Sequence, residues 1–132
     1  MIICIDILLI QIMMNPEELL SFKQLTVGII QYPGSNCAQD IKNYFPNSVY
    51  LFHTEESLPK DIQLIILPGG FAFGDRVYEK ATLSHVFNPG KMAILSPVTN
   101  LLLEAKYYNI PIVGICNGFQ ILCHLHFLPG TL

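Results

Sequence analysis

From Leu25 onward, short unbroken apolar runs alternate with stretches whose apolar positions recur at helical spacing. Leu25–Gln31, Val49–Phe52, Gln63–Leu67 and Ile110–Ile115 are rich in β-branched, aliphatic and aromatic residues and read as four strands. The first ends in the turn Pro33-Gly34-Ser35-Asn36, which also caps a helix over Cys37–Phe45. The third closes on Pro68-Gly69-Gly70. Ser96-Pro97 sets a capping residue before a proline at the first helical position, which predicts a helix over Val98–Tyr108. The fourth strand leads straight into a helix over Asn117–Leu125. Continuously apolar strands separated by helices imply a parallel sheet covered on both faces. Chemistry in such sheets gathers at the carboxyl ends of the strands, where the three turns around Gly34, Gly70 and Cys116 should share one crevice.

The start of the chain breaks this pattern. Met1–Met14 is almost wholly apolar, interrupted by Asp6 and Gln11. It is too short to span a bilayer, and it lacks the basic flank and small-residue cleavage site of a signal peptide. Residues 1–24 are therefore read as an extension of the domain formed by 25–132, with a start near Met13 or Met14 as an alternative. A partner-binding or membrane-surface segment is the rival reading. Within it, Asn15-Pro16-Glu17-Glu18 reads as a cap and acidic first turn of a short helix to Phe22.

Composition narrows the class. The chain has 132 residues, 52% of them apolar and 13% charged, enough for one domain with a real core. A net charge of −3 with scattered basic residues excludes a nucleic-acid footprint. Cys4, Cys37, Cys116 and Cys123 form no C-x-x-C pair and no zinc-like cluster, which points to a reducing, cytoplasmic setting without a metal.

The densest chemistry lies in Gly114-Ile115-Cys116-Asn117-Gly118. A cysteine between a strand and a helix, framed by glycines, has the form of a nucleophile elbow, where no room exists for a flanking Cβ. A thiol at the first turn of a helix also faces the positive end of its dipole. Cys116 is thus the candidate nucleophile. Attack on an acyl carbon creates an oxyanion, and a backbone N–H of the Gly69-Gly70 turn together with that of Asn117 would receive it. The Gly69-Gly70 turn follows one strand, as the elbow follows another.

The segments Leu67–Asp75 (Leu-Pro-Gly-Gly-Phe-Ala-Phe-Gly-Asp) and Gly114–Leu122 (Gly-Ile-Cys-Asn-Gly-Phe-Gln-Ile-Leu) resemble those of class I, triad-type glutamine amidotransferases. With Pro33–Cys37 and Leu128–Leu132, they resemble most the glutaminase subunits of phosphoribosylformylglycinamidine synthases, which act in purine biosynthesis. The resemblance covers roughly residues 25–132. It implies a flavodoxin-like three-layer α/β/α domain that hydrolyses glutamine and passes ammonia to a large synthase subunit, alongside a small accessory subunit. ATP and Mg would be used on that partner, and no cofactor would be bound by this chain. Cys116 would form a γ-glutamyl thioester, with Gly70 and Asn117 as oxyanion donors. Gln120, Gly69 and Phe71 would contact glutamine, and the Phe71–Arg76 loop and Ser35-Asn36 would line the site or a subunit interface.

One element of that pattern is missing. The family's His and Glu, in an H-x-E motif, lie well after the elbow, and here the sequence ends at Leu132, sixteen residues past Cys116. A fragment of a longer subunit, or the product of an interrupted reading frame, is expected, with an unpaired sheet edge. His53, His85, His124 and His126 are each read as surface or satisfied-core residues rather than as the base. Cys123 is read as core, Cys37 as packing with a mildly reactive thiol near the crevice as its alternative, Glu55-Glu56 as a solvated loop and Asp75-Arg76 as a surface or interface pair. A catalytically inactive scaffold subunit, and another cysteine enzyme of similar fold, remain open alternatives.

Overall fold

The computed structural model describes residues 2–3, 14–74 and 89–128; most of the apolar extension, Cys4, Asp75-Arg76, His85 and 129–132 lie outside that set. Five parallel strands form one sheet: β1 (Ile2–Ile3), β2 (Val27–Gln31), β3 (Ser48–Phe52), β4 (Leu64–Leu67) and β5 (Ile112–Gly114). Their order is β1-β5-β4-β2-β3. Five helices accompany them: α1 (Pro16–Lys23), α2 (Ala38–Tyr44), α3 (Pro89–Leu95), α4 (Val98–Tyr107) and α5 (Asn117–His124). From β2 onward the order is the flavodoxin-like one, with its switch point between β2 and β4. Among the described residues, no helix is long and apolar enough to cross a membrane.

The strands alternate between two cores. Val27 and Ile29 of β2 with Leu64 and Ile66 of β4 pack against Ala38, Ile41 and Phe45 on the α2 side. Ile30, Ile65, Leu67 and Ile112 point to the other face, against Val98, Leu101, Leu102 and Ala105 of α4 and Ile121 and Leu122 of α5. Period-two alternation within continuously apolar strands gives the three layers expected of a sheet buried on both sides. Helix α1 has the anticipated start. The Asn15 side chain accepts the Glu18 N–H at 2.9 Å, and the Glu18 carboxylate accepts the Asn15 N–H at 3.0 Å.

Two expectations need correction. Ser96 does not cap α4: Pro97 occupies the N-cap position, and the Ser96 hydroxyl donates back to the Met92 carbonyl at 2.8 Å. The preceding helix α3, not anticipated from the sequence, begins at Pro89, a residue suited to a first helical position. The sheet edge at β5 is also paired. Ile2 and Ile3 lie in parallel register with Ile112 and Val113.

Candidate active site

Three turns meet at the carboxyl edge, on either side of the switch point. The turn after β4 is laced to the turn after β2 by backbone hydrogen bonds. The Phe71 N–H donates to the Gly34 carbonyl at 2.8 Å, Phe73 to Pro33 at 2.6 Å and Cys37 to Gly69 at 3.3 Å. Gly70 sits at φ 131°, and a Cβ there would lie 2.5 Å from the Asn36 nitrogen and 2.8 Å from the Gly34 oxygen. Only glycine fits that junction.

The elbow is built by close backbone approach. The Ile115 N–H donates to the Leu67 carbonyl at 3.0 Å, extending the β4–β5 ladder to the turn. Helix α5 then crosses the end of β4 so tightly that a Cβ on Gly118 would lie 2.1 Å from the Leu67 oxygen. Between strand and helix, Cys116 is held at φ 51° and ψ −111°, a conformation costly for any residue with a Cβ. Its thiol is free and exposed.

The two halves of the site meet across Gly69 and Asn117. A Cβ on Gly69 would stand 3.3 Å from the Cys116 Cβ, so the Gly-Gly turn lies directly against the nucleophile. Asn117 is 5% exposed, and its side-chain oxygen accepts the Ala72 N–H at 3.1 Å in a buried hydrogen bond. Its side-chain nitrogen donates to the Gln120 Oε1 at 3.1 Å. One side chain thus ties the loop after β4 to the helix carrying the nucleophile. As the first residue of α5, Asn117 also presents a backbone N–H with no intrahelical acceptor. Phe71 is 58% exposed at the rim.

The structure therefore brings together Cys116, Gly69, Gly70, Phe71, Asn117 and Gln120. The described histidines lie elsewhere. His53 follows β3, three strand positions from β5 or about 14 Å across the sheet, and stacks edge-on against Phe73 at 5.8 Å. His124 ends α5, roughly 10 Å along the helix from the elbow, and His126 lies beyond it. Cys123 is buried, as expected of a core residue. Among the described residues, no group of three or more His, Cys, Asp and Glu could hold a metal ion. One feature escaped the sequence reading, the clamp made by the Asn117 side chain. The favoured packing role of Cys37 is corrected: it is exposed at the crevice, because its N–H is anchored on the Gly69 carbonyl at the sheet edge.

Comparison with known proteins matches residues 24–131 to the CobB/CobQ-like glutamine amidotransferase domain. The chain belongs to this glutamine amidotransferase family. Curated relatives of these amidotransferases include the phosphoribosylformylglycinamidine synthase subunit PurQ of Helicobacter hepaticus, 35% identical over 112 residues, covering 82% of this chain and 46% of that protein. The PurQ subunit of Prochlorococcus marinus is 38% identical, covering 81% of this chain and 46% of its own. A solved structure of PurLQS from Thermotoga maritima superposes with a TM-score of 0.67 at 31% identity, over 83% of this chain and 48% of that one. This amidotransferase chain spans about half the length of the relatives it matches.

Proposed function

We propose that this chain supplies the nucleophilic half of a glutaminase in phosphoribosylformylglycinamidine synthesis. The observation that carries the reading is the strained, exposed Cys116 at φ 51° seated against the Gly69-Gly70 turn. The Cys116 thiolate attacks the carboxamide carbon of glutamine. The resulting oxyanion is received by the N–H groups of Gly70 and Asn117, two donors fixed by backbone geometry before substrate arrives. Collapse forms a γ-glutamyl thioester on Cys116 and breaks the C–N bond, and the amide nitrogen takes a proton from solvent to leave as ammonia. Gln120 and Phe71 line the approach to the thiol. Ammonia then passes to a synthase partner, where ATP and Mg drive amidine formation; this chain contributes no cofactor of its own. The segment 25–132 carries all of these residues.

The described residues set no imidazole beside the thiol. General acid–base assistance contributes about 10² to 10⁴ in rate, so acylation should outrun turnover in this chain. A chloroketone analogue of glutamine tests the nucleophile without needing the base. The expected result is stoichiometric alkylation of Cys116, slowed by glutamine and abolished in Cys116→Ala. Alkylation spread over other cysteines, or indifferent to glutamine, would overturn the reading and favour a scaffold subunit. Ammonia release from glutamine by the same samples should fall short of sustained turnover.

A further inference from the structure

Cys37 takes no part in the chemistry above, yet the fold delivers it to the nucleophile. It is the N-cap of α2, at the end of the turn that follows β2. Its N–H donates to the Gly69 carbonyl, which anchors it on the glycine that abuts Cys116. A Cβ built on Gly69 lies 3.7 Å from the Cys37 sulfur and 3.3 Å from the Cys116 Cβ. Both side chains thus flank one point over the Gly69 backbone, and the Cys37 sulfur is within about 7 Å of the Cys116 Cβ. Glycine at 69 leaves the space between them open. Both thiols are free and exposed, whereas Cys123 is buried in the core.

We infer that Cys37 is a resolving thiol for Cys116, and that the two form a reversible disulfide when a hydroperoxide enters the site. The Cys116 thiolate attacks a peroxide oxygen; an S–O bond forms, the O–O bond breaks, and the departing oxygen leaves as water or alcohol. Sulfur loses two electrons and the peroxide gains them. The Cys37 sulfur then attacks the sulfenic sulfur. An S–S bond forms, the S–O bond breaks, and the hydroxyl leaves with the Cys37 proton as water. Forming the bond requires rotation of both side chains together with movement of the Pro33–Cys37 turn toward Cys116. The bond removes the nucleophile reversibly and protects it from further oxidation. Its effect on glutamine chemistry rests on the function proposed above; the bond itself does not.

The test uses the full chain carrying Cys4→Ser, treated with hydrogen peroxide, digested without reduction and mapped by mass spectrometry. The expected product is a Cys37–Cys116 linked peptide pair, lighter by two hydrogens and restored by dithiothreitol. Replacing Cys37 by Ser should abolish the link and drive Cys116 to sulfinic acid, which dithiothreitol does not restore. Cys37→Ala should behave as Cys37→Ser does, and both should melt cooperatively before oxidation. Equal over-oxidation of Cys116 with and without Cys37 would overturn the inference. So would a link found only between isotope-labelled and unlabelled copies. Chloroketone labelling of the reduced chain separates the two readings: a disulfide without glutamine-protected labelling sinks the glutaminase reading alone, and labelling without a disulfide sinks this one alone.

Discussion

Cys116 occupies φ 51° and ψ −111°, where the backbone crowds any Cβ. Such strain costs of order 1–3 kcal/mol and persists because Gly114 and Gly118 lock the strand and helix on either side. Removing the thiol while keeping Cβ therefore leaves the strain, and removing Cβ relieves it. Cys116→Gly is expected to be more stable than Cys116→Ala by about 1–2 kcal/mol, after the entropy of glycine in the unfolded chain is allowed for. Denaturant midpoints of the two variants check this. Tyr32 presents a second residue-scale cost. It is 1% exposed, and its hydroxyl has no hydrogen-bond partner among the described residues. Burial pushes its ionisation well above the usual phenol range. The folded value is raised above the unfolded one near 10, so this contribution to stability is intact below about pH 10 and is lost as pH climbs further. Tyr32→Phe should be neutral or stabilising by about 1 kcal/mol near neutrality, and should shift alkaline unfolding to higher pH. A lower alkaline midpoint for the variant would contradict the burial argument.

At the scale of elements, what was legible in the sequence was whatever local spacing encodes. The G-x-C-x-G frame marked the elbow because close packing of β5 on α5 demands glycine at both flanks, and continuous apolar runs marked strands buried on two faces. The Asn117 clamp was not legible, because its bond to Ala72 joins residues 45 apart in the chain and depends on how β4 and β5 pair. Helix α3 was hidden for a different reason: Pro89-Gly90 looks like a turn until the following residues are seen to pack Ala93 into the core. Ser96 looked like a cap because the motif is real, but its hydroxyl is spent on the preceding helix. The clamp itself is open to test. Asn117→Ala leaves the buried Ala72 N–H without its acceptor and is expected to cost about 1–3 kcal/mol. It should also slow chloroketone labelling of Cys116, since the loop bearing Gly70 loses its tie to α5. Unchanged stability and unchanged labelling together would show that the backbone lacing alone holds the loop.

For the whole molecule, the two ends of the sheet differ. β3 closes one edge with a full five-residue ladder to β2, while β5 is paired, among the described residues, by Ile2 and Ile3 alone. A two-residue cover is a weak guard for a row of backbone donors and acceptors. The outer surface also carries exposed apolar side chains, with Leu95 and Tyr107 each 79% exposed and Leu103 51% exposed on or beside α4. Edge and apolar surface together predict that this molecule's solubility depends on its first residues. Removing residues 1–13 strips the β1 pairing from β5. The expected outcome is a melting midpoint lower by roughly 3–6 °C, accompanied by rising light scattering as protein concentration increases. Hydrogen exchange read at Ile112 supplies the local check: Pro111 and Ile115 hydrogen-bond to β4, so by the two-residue alternation along the strand Val113 also faces β4 and Ile112 faces β1. Truncation that leaves midpoint, scattering and exchange unchanged would mean that the β1 pairing contributes nothing in solution, and that the β5 edge tolerates water as it stands.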